Sequence, residues 1–382
     1  MTVPVAIPLI SRNVPAYTND DFSGAFPAAH ANNAVYGDYW RCATATVSGN
    51  SGALTQAVYL AYDLSGVASS QRKQCVVVMH NDPATGVYNP TIIANNYFNT
   101  PQAYTIDANT AAGGSLPGSD WTTLVTVTSN AYHSRQHAVD LTGYNWIRIN
   151  ITAITGSASN NNAACNLDVH DAHLGNQDNW IFYGDSITQR GLDFEDTTLE
   201  AQINAALPTR YPIMECAGIG GLASADGASN IATWLPLFSG QYVGLLYGTN
   251  DANDASVGDP NFATTFYNSM VTMITAIIGA GKIPVMPKTI TWGSTANLVA
   301  NAPIINTKLA LLRAAYPSSV VGPDLYAYFS ANQSLISGDG IHPTDPAGYA
   351  AYRTLWLDFA TAFYTQSSAY LLSRRHRIGA IQ

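Results

Sequence analysis

Hydrophobic and polar positions follow two different rhythms along the chain, and the change falls near residue 177. From 30 to 175 the apolar stretches are short and rich in Val, Ile, Thr and Tyr, and Gly, Asn, Ser and Pro separate them. Ala57–Tyr62, Cys75–Met79, Thr122–Val127 and Trp146–Ile151 are of this kind, and helical periodicity is weak throughout. Short strands divided by turn residues predict a β-sandwich or jelly roll. Ser157–Asn162 reads as a tight loop.

After 178 strand-like and helix-like segments alternate. Trp180–Tyr183 is an apolar run ending at a glycine, as expected of a strand buried on both faces. Thr197–Leu207 reads as a helix, Ile213–Glu215 as a short strand and Tyr242–Tyr247 as another buried strand. Phe262–Ala280 carries apolar residues at helical spacing and stops at Gly281. Ile283–Met286 is a strand, Ala302–Tyr316 a helix stopped by Pro317, and Asp345–Tyr364 a long amphipathic helix. This alternation predicts a parallel sheet with helices on both faces, an α/β three-layer arrangement whose reactive groups lie at the carboxyl ends of the strands. The expected division is a β-sandwich over 1–176 and an α/β domain over 177–382, and no internal repeat is visible.

Composition narrows the function classes. The 382 residues are 47% apolar but only 11% charged, with a net charge of -9 and 16 Lys+Arg. No basic stripe is present, which argues against nucleic acid as a partner. Arg374-Arg375-His376-Arg377 reads as a solvated tail. Surface polarity must come from Asn, Ser, Thr, Gln and Tyr, which suits a secreted or cell-surface protein. No stretch of 18 consecutive apolar residues marks a membrane span. The first 17 residues lack the basic start and apolar core of a signal peptide, so a mature form with an added Met, or export by another route, is expected. Cys42, Cys75, Cys165 and Cys216 form no Cys-x-x-Cys pair. Either a Cys42–Cys165 or Cys42–Cys75 bridge, or four buried thiols, fits the spacing.

The chemistry gathers in the second half. Ser186 follows the strand at 180–183 by a Gly-Asp step, at the start of a helix, where backbone N–H groups favour an oxyanion. A serine there also suits a helix N-cap. To act as a nucleophile it needs a base. His342, in Gly338-Asp339-Gly340-Ile341-His342-Pro343, has Asp339 three residues before it to orient the imidazole. The flanks of Ser186 do not fit Gly-x-Ser-x-Gly, so the α/β-hydrolase elbow is not indicated. Gly218-Ile219-Gly220-Gly221 and Gly248-Thr249-Asn250-Asp251 each follow an apolar strand. A glycine-turn N–H, the Asn250 amide and the Ser186 N–H make three candidate oxyanion donors.

These four blocks, in this order, resemble the SGNH hydrolases, also called the GDSL family of lipases and esterases. The resemblance spans about 178–365. It implies a flavodoxin-like sheet, Ser186 as nucleophile, His342 as base, Asp339 as its partner, and Gly221 and Asn250 as oxyanion donors, with no metal or organic cofactor. Cys216 stands where the family usually has Asn, which removes a structural hydrogen bond. A sandwich ahead of such a domain resembles some carbohydrate acetyl esterases. The expected substrate is therefore a small acyl ester or an acetylated polysaccharide. A lipase or arylesterase, an acyltransferase, and a carbohydrate-binding or adhesion protein are the alternatives.

Other residues carry two readings each. Trp292 lines an acyl or sugar pocket or simply packs. His170 and His173 are spaced like metal ligands, but interdomain or surface packing accounts for them. Asp251 and Asp254 lack a companion ligand set, and Asp251 is expected to brace its loop. Tyr39, Trp40, Trp121 and Trp146 form either a sugar-stacking platform or core. The oligomeric state is not readable.

Overall fold

The computed structural model describes residues 4–22, 24–33, 39–43, 51–80, 100–130, 132, 134–155, 162–192 and 198–378. Side chains from 366 onward, and at 51, 80, 134 and 155, lie outside the description. The loop expected at 157–162 falls almost wholly outside the described residues, as do the side chains of the Arg374–Arg377 cluster.

The first half forms two antiparallel sheets. One orders β1 (Ala16–Thr18), β3 (Ser51–Asp63), β8 (Trp146–Thr155), β5 (Pro101–Asn109) and β6 (Thr122–Val127) as β1-β3-β8-β5-β6. The other orders β2 (Trp40–Arg41), β9 (Ala164–Asp171), β4 (Gln74–His80) and β7 (Ser134–Asp140) as β2-β9-β4-β7. Alternate residues of the two, including Leu60, Tyr62, Ile149 and Ile151 from one and Val77, Met79, Leu167 and Val169 from the other, share one core. Trp40 and Trp146 are fully buried, whereas Tyr39 and Trp121 stay half-buried, so the four aromatics make no continuous platform. All four cysteines are free, buried thiols.

The second half is a five-stranded parallel sheet flanked by helices. Its strands are β10 (Asn179–Gly184), β11 (Ile213–Gly218), β12 (Tyr242–Leu246), β13 (Ile283–Met286) and β14 (Val320–Val321), in the order β11-β10-β12-β13-β14. This is the flavodoxin-like 2-1-3-4-5 order, whose switch point lies at the first strand. Odd residues Ile181, Tyr183, Val243 and Leu245 pack against α3 (Ser224–Trp234), α5 (Phe262–Gly279) and α6 (Ala296–Ala315). Even residues Trp180, Phe182, Met214 and Cys216 pack against α1 (Ser186–Gly191), α2 (Leu199–Ala206), α7 (Leu325–Ala331) and α8 (Ala347–Ile378). Both faces are covered, which is why the strands are apolar almost throughout, Asn179 and Glu215 at the junction with the first half being exceptions.

Several boundaries differ from the pattern. β11 reaches Gly218, three residues past the expected end, so the glycine turn starts at Ile219. The loop expected after β12 contains a short helix, α4 (Thr249–Asp254). Helix α6 begins six residues early, capped by Thr295, whose Oγ1 accepts the Leu298 N–H at 3.1 Å. Pro303 inside it deprives the Val299 carbonyl of a partner, and Val299 is exposed, so water can serve instead. Helix α5 is long and apolar enough to cross a membrane, but here Phe266, Met270, Met273, Ile274 and Ile277 lie against the sheet.

The two halves meet through buried chemistry. Ile7, Val76 and Val78 pack on Ile213 of β11. Beside them Gln136 Nε2 donates to Asn179 Oδ1 (2.9 Å) and Glu215 Oε2 (2.7 Å), and its Oε1 accepts from Asn179 Nδ2 (2.7 Å) and Ser239 Oγ (2.7 Å). His170, on the same sheet, is buried and bonds the Ile7 carbonyl through Nδ1 at 3.2 Å, while His173 pairs with Asp171 at 2.5 Å. Their spacing serves packing at and near this junction. Among the described residues no group of three or more His, Cys, Asp or Glu could hold a metal.

Gln136→Leu keeps the volume and strips the hydrogen-bond partners from the buried Asn179 and Glu215 side chains. A buried polar group left unmade costs about 1–3 kcal/mol, and several are affected. We expect a loss of about 2–4 kcal/mol in the urea unfolding free energy, with both halves unfolding in one transition. An unchanged midpoint would show that this network does not hold the halves together.

Candidate active site

Strand register sets the site. Gly184 is level with Gly218 on one side and Leu246 on the other, so three neighbouring strands end together. Ser186, Gly221 and Asn250 lie two, three and four residues beyond those ends. Helix α1 begins at Ser186 itself, and the N-cap is Asp185 rather than the serine. Asp185 Oδ1 accepts the N–H groups of Ile187 (3.0 Å) and Thr188 (3.4 Å), leaving the Ser186 N–H of the first turn uncommitted. With the cap role filled, the Ser186 hydroxyl is free for something else.

That hydroxyl meets His342. Ser186 Oγ lies 2.7 Å from His342 Nε2, and His342 Nδ1 lies 2.7 Å from Asp339 Oδ2. A carboxylate can only accept, so Nδ1 carries the ring proton, Nε2 is the acceptor, and the serine donates. Partial burial raises the Asp339 carboxyl. Hydrogen bonds from Ser337 Oγ (2.6 Å), the Ile341 N–H (2.8 Å), the His342 ring and the His342 N–H (3.1 Å) outweigh it and hold the group well below the usual carboxylate range. It therefore stays ionised at neutral pH. The Asp339 side chain is 48% exposed, so solvent screens its charge and its main effect is to fix the tautomer and ring orientation.

The other two strand ends supply donors. Gly221 sits in the left-handed region at φ 79°, which turns the chain back toward the strand ends. Gly248 (φ 128°) lets the chain leave β12 for α4, where a Cβ would press on Ile290 and Ile305. Asn250, in the first turn of α4, gives one Nδ2 proton to the Leu222 carbonyl at 2.9 Å and keeps the other. This bond ties α4 to the glycine turn. Asp251 braces the same junction: its carboxylate accepts the Ser224 hydroxyl (2.5 Å) and N–H (3.0 Å), while burial raises its pKa. Trp292 is half-buried against the core on the α8 face. Its neighbour Ser294 donates its N–H to Gly340 at 2.8 Å, which anchors that loop to the one bearing His342.

Residues 182–351 match the model of the GDSL-like lipase/acylhydrolase family. Residues 182–351 are a GDSL-like lipase/acylhydrolase domain. Solved structures similar to this chain include three of note. A lipase/acylhydrolase from Enterococcus faecalis is 21% identical over 47% of this chain and 93% of its own, at a TM-score of 0.38. An acetylxylan esterase from Geobacillus stearothermophilus is 15% identical over 49% and 93%, at 0.38. A chitosan-binding module of a Paenibacillus sp. IK-5 chitosanase/glucanase is 16% identical over 42% and 98%, at 0.29. No curated protein matches the chain. The hydrolase domain is that of an ester-cleaving enzyme.

Some features of this domain were not anticipated from the chain. Cys216, in the place of the family's usual Asn, does not leave its position without a hydrogen bond as expected: its thiol packs against helix α1 with Sγ 2.8 Å from the Thr188 carbonyl. Asp185, Gln189 and Ser224 also support the site. The legible signal for Gln189 was its position three residues after Ser186, one helical turn away. Asp185 is the most unusual: it is 1% exposed, and burial pushes its carboxyl up to about 6, against the opposing pull of the Ile187 and Thr188 N–H groups and His342.

The sign follows directly. The folded group holds its proton up to about pH 6, while the unfolded one loses it near 3.8. The contribution to stability is therefore full below the lower value and is lost as pH rises through the upper one, by on the order of 3 kcal/mol. Asp185→Asn keeps an N-cap acceptor and removes the titration. Its unfolding free energy, measured in urea from pH 3.5 to pH 7.5, should gain on wild type as pH rises across this window. A constant difference between the two would contradict the buried-acid assignment.

Proposed function

We propose that the protein is a serine esterase that removes short acyl groups, with O-acetyl groups on carbohydrate as the leading substrate class, through a Ser186–His342–Asp339 relay. The observation that carries this reading is the unbroken chain of two 2.7 Å contacts from the serine oxygen to the carboxylate. The alternation of strand ends around it supplies N–H groups where negative charge would develop.

The reaction proceeds in two halves. Ser186 Oγ attacks the ester carbonyl carbon as its proton passes to His342 Nε2. The carbonyl oxygen becomes an oxyanion among the N–H groups of Ser186, Gly221 and Asn250. The imidazolium, steadied by Asp339, gives its proton to the departing alcohol oxygen, and an acyl-serine remains. Water then loses a proton to Nε2 and attacks the acyl carbon. The second tetrahedral species expels Ser186, which regains its proton, and the carboxylic acid leaves. The residues need no cofactor for these steps.

The carbohydrate part of the proposal rests on architecture, a β-sandwich joined to a hydrolase domain, and is an analogy of layout. Turnover of acetylated xylan and of short and long p-nitrophenyl esters tests both parts. We expect the acetyl substrates to be preferred. Ser186→Ala should lose at least about 10⁴-fold in kcat, and Asn250→Ala about 10²- to 10³-fold, with KM little changed. Preference for long-chain esters would replace the carbohydrate reading with a lipase. Residual wild-type turnover in Ser186→Ala would remove the relay.

A further inference from the structure

The glycine turn offers several N–H groups, yet among the described residues only one lacks a protein acceptor. Within residues 219–222, the Ile219 N–H is taken by the Gly184 carbonyl at 3.0 Å and the Leu222 N–H by the Ile219 carbonyl at 3.3 Å. The Gly220 N–H is taken by a side chain, Gln189 Oε1, at 3.0 Å. Among the described residues, the Gly221 N–H has no protein acceptor. Gln189 lies on helix α1 three residues after Ser186, so the two share a helix face. The contact is close: a Cβ placed on Gly220 would come within 3.1 Å of Gln189 Oε1 and 3.6 Å of the Ser186 Cβ.

We propose that Gln189 is a positioning residue for the oxyanion site: by accepting the Gly220 N–H it fixes the glycine turn to the nucleophile helix and leaves Gly221 as the donor that meets the substrate oxygen. This rests on the esterase reading above and deepens it. The turn is held from two directions. Gln189 pins it to the helix that carries Ser186, and Asn250 Nδ2 pins it, through the Leu222 carbonyl at 2.9 Å, to the helix that carries the third donor. The separation between nucleophile and donors is thus set by two side-chain amides, one on each flanking helix. Without the Gln189 acceptor, the Gly220 N–H would compete for the oxyanion from a different angle or turn to water, and the Gly221 donor would lose its reference to Ser186. Oxyanion stabilisation is sensitive to displacements of this order because donors must meet the tetrahedral oxygen and not the flat ester carbonyl.

The test uses the full chain, a short p-nitrophenyl ester and a small alkyl boronic acid, which forms a tetrahedral adduct on the serine. Gln189→Met keeps side-chain length and helix propensity but has no acceptor for the Gly220 N–H. We expect kcat per folded molecule to fall about tenfold, KM to stay within about twofold, and the boronic acid inhibition constant to rise by the same tenfold. A purely structural residue would lower the melting temperature without moving the last two apart. Unchanged kcat and boronic acid affinity in folded Gln189→Met would overturn the proposal. So would a loss of kcat with boronic acid affinity intact, since that places the defect in proton transfer. Should Gln189→Met fail to fold, Gln189→Ala deletes the amide without adding bulk and is read the same way. Wild type and Ser186→Ala run alongside. Turnover in Ser186→Ala would refute the esterase reading itself, whatever Gln189 does.

Discussion

The 2.7 Å contact between Ser186 Oγ and His342 Nε2 joins segments 156 residues apart, and the rest of the domain can be understood as what it takes to hold them there. Neither residue is positioned by its own neighbours alone. Ser186 is placed by the end of β10 and by Asp185, which caps the helix and leaves the serine hydroxyl free. His342 is placed by a loop whose carboxylate, Asp339, bonds both the ring and the local backbone. A second loop, at Ser294, clamps that loop through Gly340. The 2-1-3-4-5 strand order then brings the ends of β11, β10 and β12 to one level, so Ser186, Gly221 and Asn250 follow three neighbouring strand ends.

The sandwich takes part in this scaffold through the far end of the same sheet. Asn179 opens β10 and Glu215 lies in β11, and both are bonded by Gln136 of the sandwich. These are two of the three strands that carry the site. Arg210 adds a bond to Asp178, the residue just before β10, at 3.1 Å and one to the Pro4 carbonyl at 3.0 Å. Removing one member of a buried polar junction of this kind leaves its partners unpaired and away from water, which is costly. The sandwich is therefore part of the support for the strands that lead to Ser186.

Much of this was legible in the chain. The change of rhythm near 177 separated antiparallel from parallel sheet, because strands buried on both faces are apolar almost throughout and sandwich strands are not. Ser186, Asp339 and His342 were legible as candidates because each occupies a strand end or a loop with a short, chemically complete spacing. What the chain did not show is contact chemistry. The reach of β11 to Gly218 depends on pairing with β10, and α4 is too short and polar to display a period. That Asp185 caps the helix in place of Ser186, and that Gln189 commits Gly220, depends on which backbone groups the fold leaves unpaired. Trp40 and Trp146 could not be told from a binding platform until the fold showed both buried, Trp40 in the core between the sheets and Trp146 against Tyr17 with its indole N–H on the Ala112 carbonyl.

The central claim is that Ser186 is the one nucleophile and that His342 activates it. A fluorophosphonate probe reports on both at once, since it bonds irreversibly to an activated serine. Mass spectrometry of the labelled, digested protein should place a single adduct on Ser186, and His342→Ala should slow its formation by at least about 100-fold. An adduct on another residue, or an equal rate in His342→Ala, would contradict the account.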